Sequence, residues 1–157
     1  MTIMLRTIEM DDLPLFFEFQ KDRDAIHMAA FTAKDPNDRE HFNRHWNKIL
    51  GNESIIKRTI TLNHEVVGSI MCFEQFGERE VTYWIDKKHW GKGIATDALG
   101  EFLTIVPVRP LYGRTAKDNI GSRRVLEKCG FTITGEDKGF ANARGEEVEE
   151  FILMLAD

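Results

Sequence analysis

The 157-residue chain is poor in cysteine: Cys72 and Cys129 are the only two, and they form no C-x-x-C. A disulfide framework is excluded, and both read as reduced thiols, small buried hydrophobes in a cytoplasmic protein. Long hydrophobic runs are missing as well. The opening Met1-Thr2-Ile3-Met4-Leu5-Arg6 is too short and too soon charged for a signal peptide, and Leu103 to Val108 is far short of a membrane span. An excess of positive charge is also lacking. The formal net charge of -5 argues against a nucleic-acid partner held by phosphate neutralisation. No repeat, low-complexity tract or linker interrupts the chain, so residues 1–157 read as one domain, able to bury about two-thirds of its unfolded surface.

What the chain does have is His89-Trp90-Gly91-Lys92-Gly93-Ile94-Ala95-Thr96-Asp97-Ala98-Leu99, two glycines around a lysine that lead into a helical pattern. Glycine takes φ > 0 without a Cβ penalty, so Gly91 and Gly93 let successive N–H groups line an anion site. Ile94, Ala98 and Phe102 recur at helical spacing, which sets the amides of Gly93 to Thr96 at a helix N-terminus, where they lack intrahelical partners. Lys92 adds a mobile positive charge. Between Lys87 and Lys128 nine basic residues face four acidic ones, a local +5 that leaves -10 for the rest. A basic field around the loop suits a polyanionic small ligand, and acidic surroundings suit a cationic co-substrate.

The patterning along the chain gives a strand over residues 2–8, then a helix to about Gln20 capped by Asp11 and Asp12. Residues 21–36 read as irregular, and Asn37 or Asp38 caps a second helix to about Leu50. Strands follow at 54–62, 66–75 and 79–85, joined by short turns and so antiparallel. After the glycine loop come a helix from Ile94 to Ile105, a strand at 111–116 and a helix capped by Asp118 or Asn119 and closed by Cys129-Gly130. A short strand at 131–135 and a last one at 148–155 complete the order. The class is α/β or α+β, with a sheet that is antiparallel early and changes direction around the glycine loop.

Two familiar phosphate motifs fit poorly. A P-loop needs G-x-x-x-x-G-K-[ST], and the spacing of Gly-Lys-Gly-Ile-Ala-Thr is wrong for it. A Rossmann fingerprint needs a third glycine where Thr96 stands and an acid about 20 residues on, where none occurs. Three stretches taken together point elsewhere: Tyr83-Trp84-Ile85-Asp86, then Trp90 to Thr96, then Asn119-Ile120-Gly121-Ser122-Arg123-Arg124-Val125-Leu126-Glu127-Lys128-Cys129-Gly130-Phe131. In these the chain resembles the GNAT N-acetyltransferase superfamily, and within it the RimJ/RimL type, whose loop often opens on a tryptophan as at Trp90.

The resemblance implies a mixed, mostly antiparallel sheet of six to seven strands flanked by about four helices. It also implies a splay between the strands at 79–85 and 111–116 that receives acetyl-CoA as co-substrate, with no metal. On that view the pyrophosphate sits on the amides of Gly91, Lys92, Gly93, Ile94, Ala95 and Thr96. The pantetheine arm pairs with the backbone around Trp84 and Ile85, and Asn119 holds it from the other side.

Acyl transfer from a thioester to an amine needs a neutral amine, a stabilised oxyanion and a proton for the leaving thiolate. The helix tyrosine that donates this proton in much of the superfamily is Leu126 in this chain, and the Rim-type serine matches Ser122. Glu80, on the strand beside the thioester, resembles the family's base. The final-hairpin glutamate of Rim-type enzymes aligns with Phe140-Ala141-Asn142, which holds no carboxylate. A weak base suits an α-amine (pKa ~7.7 to 8.0, roughly 10 to 15% neutral at pH 7) better than a lysine (pKa ~10.4, about 0.04%). The implied acceptor is therefore a protein or peptide N-terminus or a small amine. The rival is a CoA-binding regulatory module without turnover.

Other residues carry less. His41 and His45 have metal-ligand spacing, but Phe42 stands where H-E-x-x-H needs glutamate and no third ligand follows. His89 reads as a surface histidine more readily than as a phosphate contact, and Cys129 as a core thiol. Glu146 to Glu150 reads as a solvated edge strand, open to a second subunit as a homodimer contact or to a cationic acceptor.

Overall fold

A computed structural model describes residues 2–157. Strand β1 (Ile3–Arg6) is followed by a 3-10 turn at Met10–Asp12 and helices α1 (Leu13–Phe19), α2 (Arg23–Ala29) and α3 (Arg39–Gly51). Then come β2 (Ile56–Leu62), β3 (Glu65–Gln75), β4 (Glu78–Ile85), α4 (Ile94–Ile105), β5 (Leu111–Ala116), α5 (Ile120–Lys128), β6 (Thr132–Ala141) and β7 (Glu146–Leu155). The seven strands form one sheet in the order β1-β2-β3-β4-β5-β7-β6. All neighbours are antiparallel except β4 and β5, which are parallel and paired only at Glu80 and Tyr112. This is the mixed, splayed α+β sheet that the resemblance implied, with five helices in place of about four.

Alternation along the strands sorts side chains onto two faces. Ile70 and Cys72 of β3 join Val81 and Ile85 of β4 against Ile94, Leu99 and Phe102 of α4 and Leu126 of α5. Met71, and Val66 beyond the register shift opposite Ile60 and Thr61, turn the other way, toward Phe16 and Phe17 of α1 and Phe42, Trp46 and Ile49 of α3. The apolar residues of α3 recur every three to four positions because one stripe must be buried.

Four local expectations are corrected. Residues 21–36, read as irregular, contain α2, whose N-cap Asp22 accepts from the Ala25 N–H at 2.9 Å. Its seven residues are too few for a periodic signal; tertiary contacts hold it, with Arg144 donating to the His27 carbonyl and Ala143 N–H to the Ala30 carbonyl. Asp12 occupies the N-cap position of α1, but its side chain does not cap that helix. It is 2% exposed and accepts two hydrogen bonds from the Arg6 guanidinium at 2.8 Å, one from the Glu9 N–H at 2.9 Å and one from Thr59 Oγ1 at 2.7 Å. Strand β6 runs ten residues, far beyond the short strand expected at 131–135, because its outer half pairs with β7 through Ala141 and Glu146. Finally, the acidic β7 is not an edge. It lies between β5 and β6, and its carboxylates meet cations: Glu147 with Lys138, Glu149 with Lys117, Glu150 with Arg114. From Glu150 to Met154 the strand is paired on both sides, with β5 and β6, whereas Glu146 to Glu149 have their ladder partners on β6.

Candidate active site

Beyond the single Glu80–Tyr112 pair, β4 and β5 diverge and leave a cleft that opens into a cavity of about 1180 Å³. Parity decides what β4 presents. Asp86 N–H donates back to Val67 of β3, and the Trp84 carbonyl also lies against Gly68 of β3. By the two-residue alternation, the backbone groups of Tyr83 and Ile85 face the open side. Within the stretch around Trp84 and Ile85, it is thus the flanking backbone groups that face the cleft. Trp84 lines the cavity with its side chain, and its indole donates to the Phe19 carbonyl at 3.3 Å. The Ile85 carbonyl already accepts from the Trp90 indole at 3.0 Å, a contact that ties the glycine loop to the end of β4.

In the loop, Gly91 and Gly93 both sit at φ +78°, and Gly93 is the left-handed N-cap of α4 with no side chain capping it. A Cβ on either would meet no atom within 4 Å, so the backbone conformation, not space, demands glycine. The first-turn amides of α4 are thus left open at the positive end of a twelve-residue helix. Ile94 is buried in the core, leaving its amide as the group it can offer, while Ala95 and Thr96 are half-buried and Lys92 exposed. The loop is not a wall of the cavity; it follows the end of β4 beyond it. His89 is not on the surface as expected. It is 7% exposed, its Nδ1 accepts from the Lys92 ammonium at 3.1 Å, and its Nε2 has no hydrogen-bond partner, with Glu65 Oε2 at 3.6 Å.

Asn119 caps α5, its Oδ1 accepting from the Ser122 N–H at 3.2 Å while its Nδ2 donates to the Met28 carbonyl of α2 at 3.2 Å. Its amide therefore first fastens α5 to α2, and one Nδ2 proton remains for a ligand. Ser122 is half-buried, lines the cavity, and lies 2.9 Å from the Tyr83 hydroxyl. Leu126 fills the space beside Gly113, where an added Cβ would come within 2.9 Å of it, so the helix position that carries tyrosine elsewhere in the superfamily is given over to packing.

Glu80 also lines the cavity, but it is 3% exposed, not a free strand carboxylate. Gln75 Nε2 donates to it at 3.3 Å and Arg114 Nε at 3.3 Å. Burial pushes its carboxyl above the ordinary value, against the opposing pull of Arg114 and Gln75. Arg114 also pairs with Glu150 at 2.8 Å and Asp137 at 3.0 Å, and its guanidinium lies 4.9 Å from the Phe76 ring centre. Burial acts to lower the Arg114 pKa, and its three carboxylate partners hold it above the usual value. Glu80 and Ser122 stand on opposite faces of the splay: Glu80 with Thr82 and Trp84 on one, Tyr83 with α5 on the other. A thioester threaded between the strands would meet a carboxylate on one side and a hydroxyl on the other.

Asn142, in the hairpin turn, donates to the Thr32 carbonyl at 2.8 Å and offers no base, while Asp137 and Glu150 of the same hairpin do line the cavity. Reading the motifs alone passed over Tyr83 and Arg114; the parity of β4 and β5 relative to Ser122 and Glu80 was the available signal. His41 and His45 stack with ring centres 6.4 Å apart at the cavity wall, and among the described residues no group of three metal-ligating side chains occurs.

A mixed sheet split between two parallel strands, with a glycine-led helix N-terminus beyond the split, defines the acetyltransferase class of fold. Residues 2–132 match the family model of the acetyltransferase (GNAT) domain, and the chain belongs to that family. An uncharacterized N-acetyltransferase of Bacillus licheniformis, p20, is 24% identical over 108 residues, 64% of this chain and 58% of that relative. RimJ of Mycobacterium smegmatis, solved with CoA-disulfide, superposes with a TM-score of 0.81 at 21% identity, covering 98% of this chain and 81% of its own. Spermidine N-acetyltransferase of Vibrio cholerae, solved with CoA and spermine, gives 0.78 at 20% identity over 97% and 95%. These structural likenesses carry the fold. No helix among the described residues is long and apolar enough to cross a membrane.

Proposed function

We propose that this protein is an acetyl-CoA-dependent N-acetyltransferase of the RimJ/RimL-like kind, moving the acetyl group directly to a primary amine in the cytoplasm. The observation that carries this reading is the divergence of β4 and β5 after one pair, with Glu80 and Ser122 both on the walls of the resulting cavity. The backbone of Tyr83 and the N–H of Ile85 offer the strand edge for a pantetheine arm. The open amides of Gly93 to Thr96, with Lys92, offer an anion seat that fits a pyrophosphate. Glu80 takes the proton of the attacking amine. Its raised carboxyl makes it a stronger base than an exposed glutamate once ionised. Ser122 supplies the proton to the leaving sulfur.

The acceptor is an amine of modest pKa, a peptide N-terminus or a small amine, because a carboxylate base cannot make a lysine side chain substantially neutral at pH 7. Thiol release from acetyl-CoA, followed across a panel of N-terminal peptides, lysine peptides and small amines, tests the reading. Acceptor-dependent release, fastest with the low-pKa amines, is the expected result. Lysine peptides as the faster acceptors would overturn the acceptor class. The second reading, a CoA-binding module without turnover, draws on the clamp of Arg114 and Gln75 around Glu80. Tight CoA binding with no acceptor-dependent release would establish it instead.

A further inference from the structure

We propose that Tyr83 is a positioning residue for acetyl transfer: its phenol donates to Ser122 Oγ and so turns the proton of Ser122 toward the cleft and the departing sulfur. The inference rests on the acetyl-transfer reading above and extends it to a residue outside the motif chemistry.

A serine hydroxyl has one proton and two lone pairs, and nothing in its own torsion aims that proton. In a helix it commonly turns back to a carbonyl one turn earlier. Ser122 Oγ makes no such bond; among the described residues its hydrogen-bond partner is the Tyr83 hydroxyl at 2.9 Å. That hydroxyl also has the geometry to donate to the Ser122 carbonyl, at the longer distance of 3.3 Å, but the α-helical ladder already supplies that oxygen with the N–H of residue 126. The phenol proton therefore has Oγ as its nearer and needier acceptor. With that lone pair filled, the serine proton must point elsewhere, and the cavity is the side on which Ser122 is open.

Three further observations fit. The Tyr83 ring packs against the main core with Val125 and Cys129, so its hydroxyl is held at a fixed place. Burial carries the phenol up to about 12, against a smaller opposing effect of the Ser122 bond, so it stays a protonated donor across the working range. Leu126, packed beside Gly113, occupies the helix position where the family resemblance would put a tyrosine. In the step itself the amine nitrogen bonds to the thioester carbonyl carbon and gives its proton to Glu80, and as the tetrahedral intermediate collapses the C–S bond breaks with its electron pair on sulfur. Ser122 passes its proton to that sulfur, and Glu80 then releases the amine's proton to solvent, from which Ser122 is reprotonated. Tyr83 keeps its own proton throughout.

Steady-state kinetics of Tyr83→Phe, Ser122→Ala and the double variant test this. Tyr83→Phe should lower kcat about tenfold, the worth of one buried hydrogen bond, and leave KM for acetyl-CoA within about twofold. The double variant should be no slower than Ser122→Ala alone, because Tyr83 acts only through Ser122. An unchanged kcat in Tyr83→Phe, or losses that multiply in the double variant, would overturn the proposal. Should Tyr83→Phe fail to fold, fluorotyrosine incorporation keeps the ring shape and sharpens the donor. A kcat shift in the labelled wild type but not in labelled Ser122→Ala supports the proposal, and equal behaviour of the two defeats it. A wild type without acceptor-dependent thiol release fails the parent reading and takes this inference with it, whereas an active wild type with an indifferent Tyr83→Phe defeats the inference alone.

Discussion

Glu80 shows how much a single carboxylate depends on its surroundings. In isolation it would titrate in the ordinary range, but burial favours its neutral form more than Arg114 and Gln75 favour its charge. The acidic limb of kcat/KM should therefore fall at a pH above the usual carboxylate value, and Glu80→Gln should abolish the limb while lowering kcat about 10²-fold. Stability carries the same sign. A carboxyl whose folded pKa is raised stabilises the fold below its ordinary value and loses that contribution as pH rises through the folded one. The melting temperature of Glu80→Gln relative to wild type should accordingly climb with pH across that window, as differential scanning calorimetry at several pH values would show. Ser122→Ala should lower kcat about 10²-fold or more with little change in KM, since a proton donor acts only in the transition state. An unchanged kcat would remove Ser122 from the mechanism.

At the scale of the element, the loop into α4 is a case where backbone conformation outranks packing. Gly93 has open space where a Cβ would go, yet its φ of +78° lies where β-branched residues are strained. Gly93→Val should abolish acetyl-CoA binding by isothermal titration, because the amides of the first turn lose their alignment, while far-UV circular dichroism stays near wild type. Retained binding would refute the anion seat. The buried face of α4, with Ile94, Ala98, Leu99 and Phe102, supports this expectation, since the helix is anchored along its length and not only at its first turn. Helix α2 is the opposite case. Its seven residues carry no periodic stripe, and the β6–β7 turn holds it through Arg144, which also pairs with Asp118 at 2.9 Å, beside the α5 cap.

Across the whole molecule, the first strand is latched to the rest by Asp12. The carboxylate joins Arg6 of β1, Glu9 of the following turn and Thr59 of β2, and loss of one side of such a buried pair costs about 3 to 5 kcal/mol. Asp12→Ala should lose stability of that order in urea unfolding. Burial acts to raise the Asp12 pKa, yet Arg6, the Glu9 amide and Thr59 together bring it below its ordinary 3.8. A depressed pKa contributes stability that is whole above the ordinary value and is lost as pH falls through the folded one. The gap between wild type and Asp12→Ala should thus be full at neutral pH and close on acidification below about 4.

The amino-acid sequence by itself determined the order of the long elements and the glycine loop, because helical and strand periodicity and the φ demands of glycine are local properties. Gly93 at the N-cap of α4, Asp38 capping α3 and the strands of the central hairpins are where their own residues put them. It also named Ser122 and Glu80, on their place in a motif. Only the tertiary structure decided what those residues meet. Glu80 became a buried, clamped carboxylate because β5 brings Arg114 beside it, and the acidic last strand became an interior one because β6 folds back outside it. His89 went beneath the loop and Asp12 beneath β1, and Tyr83 came to Ser122 across 39 positions of sequence. Each of these is a contact between distant segments, and no local pattern encodes which partner a folded sheet will bring.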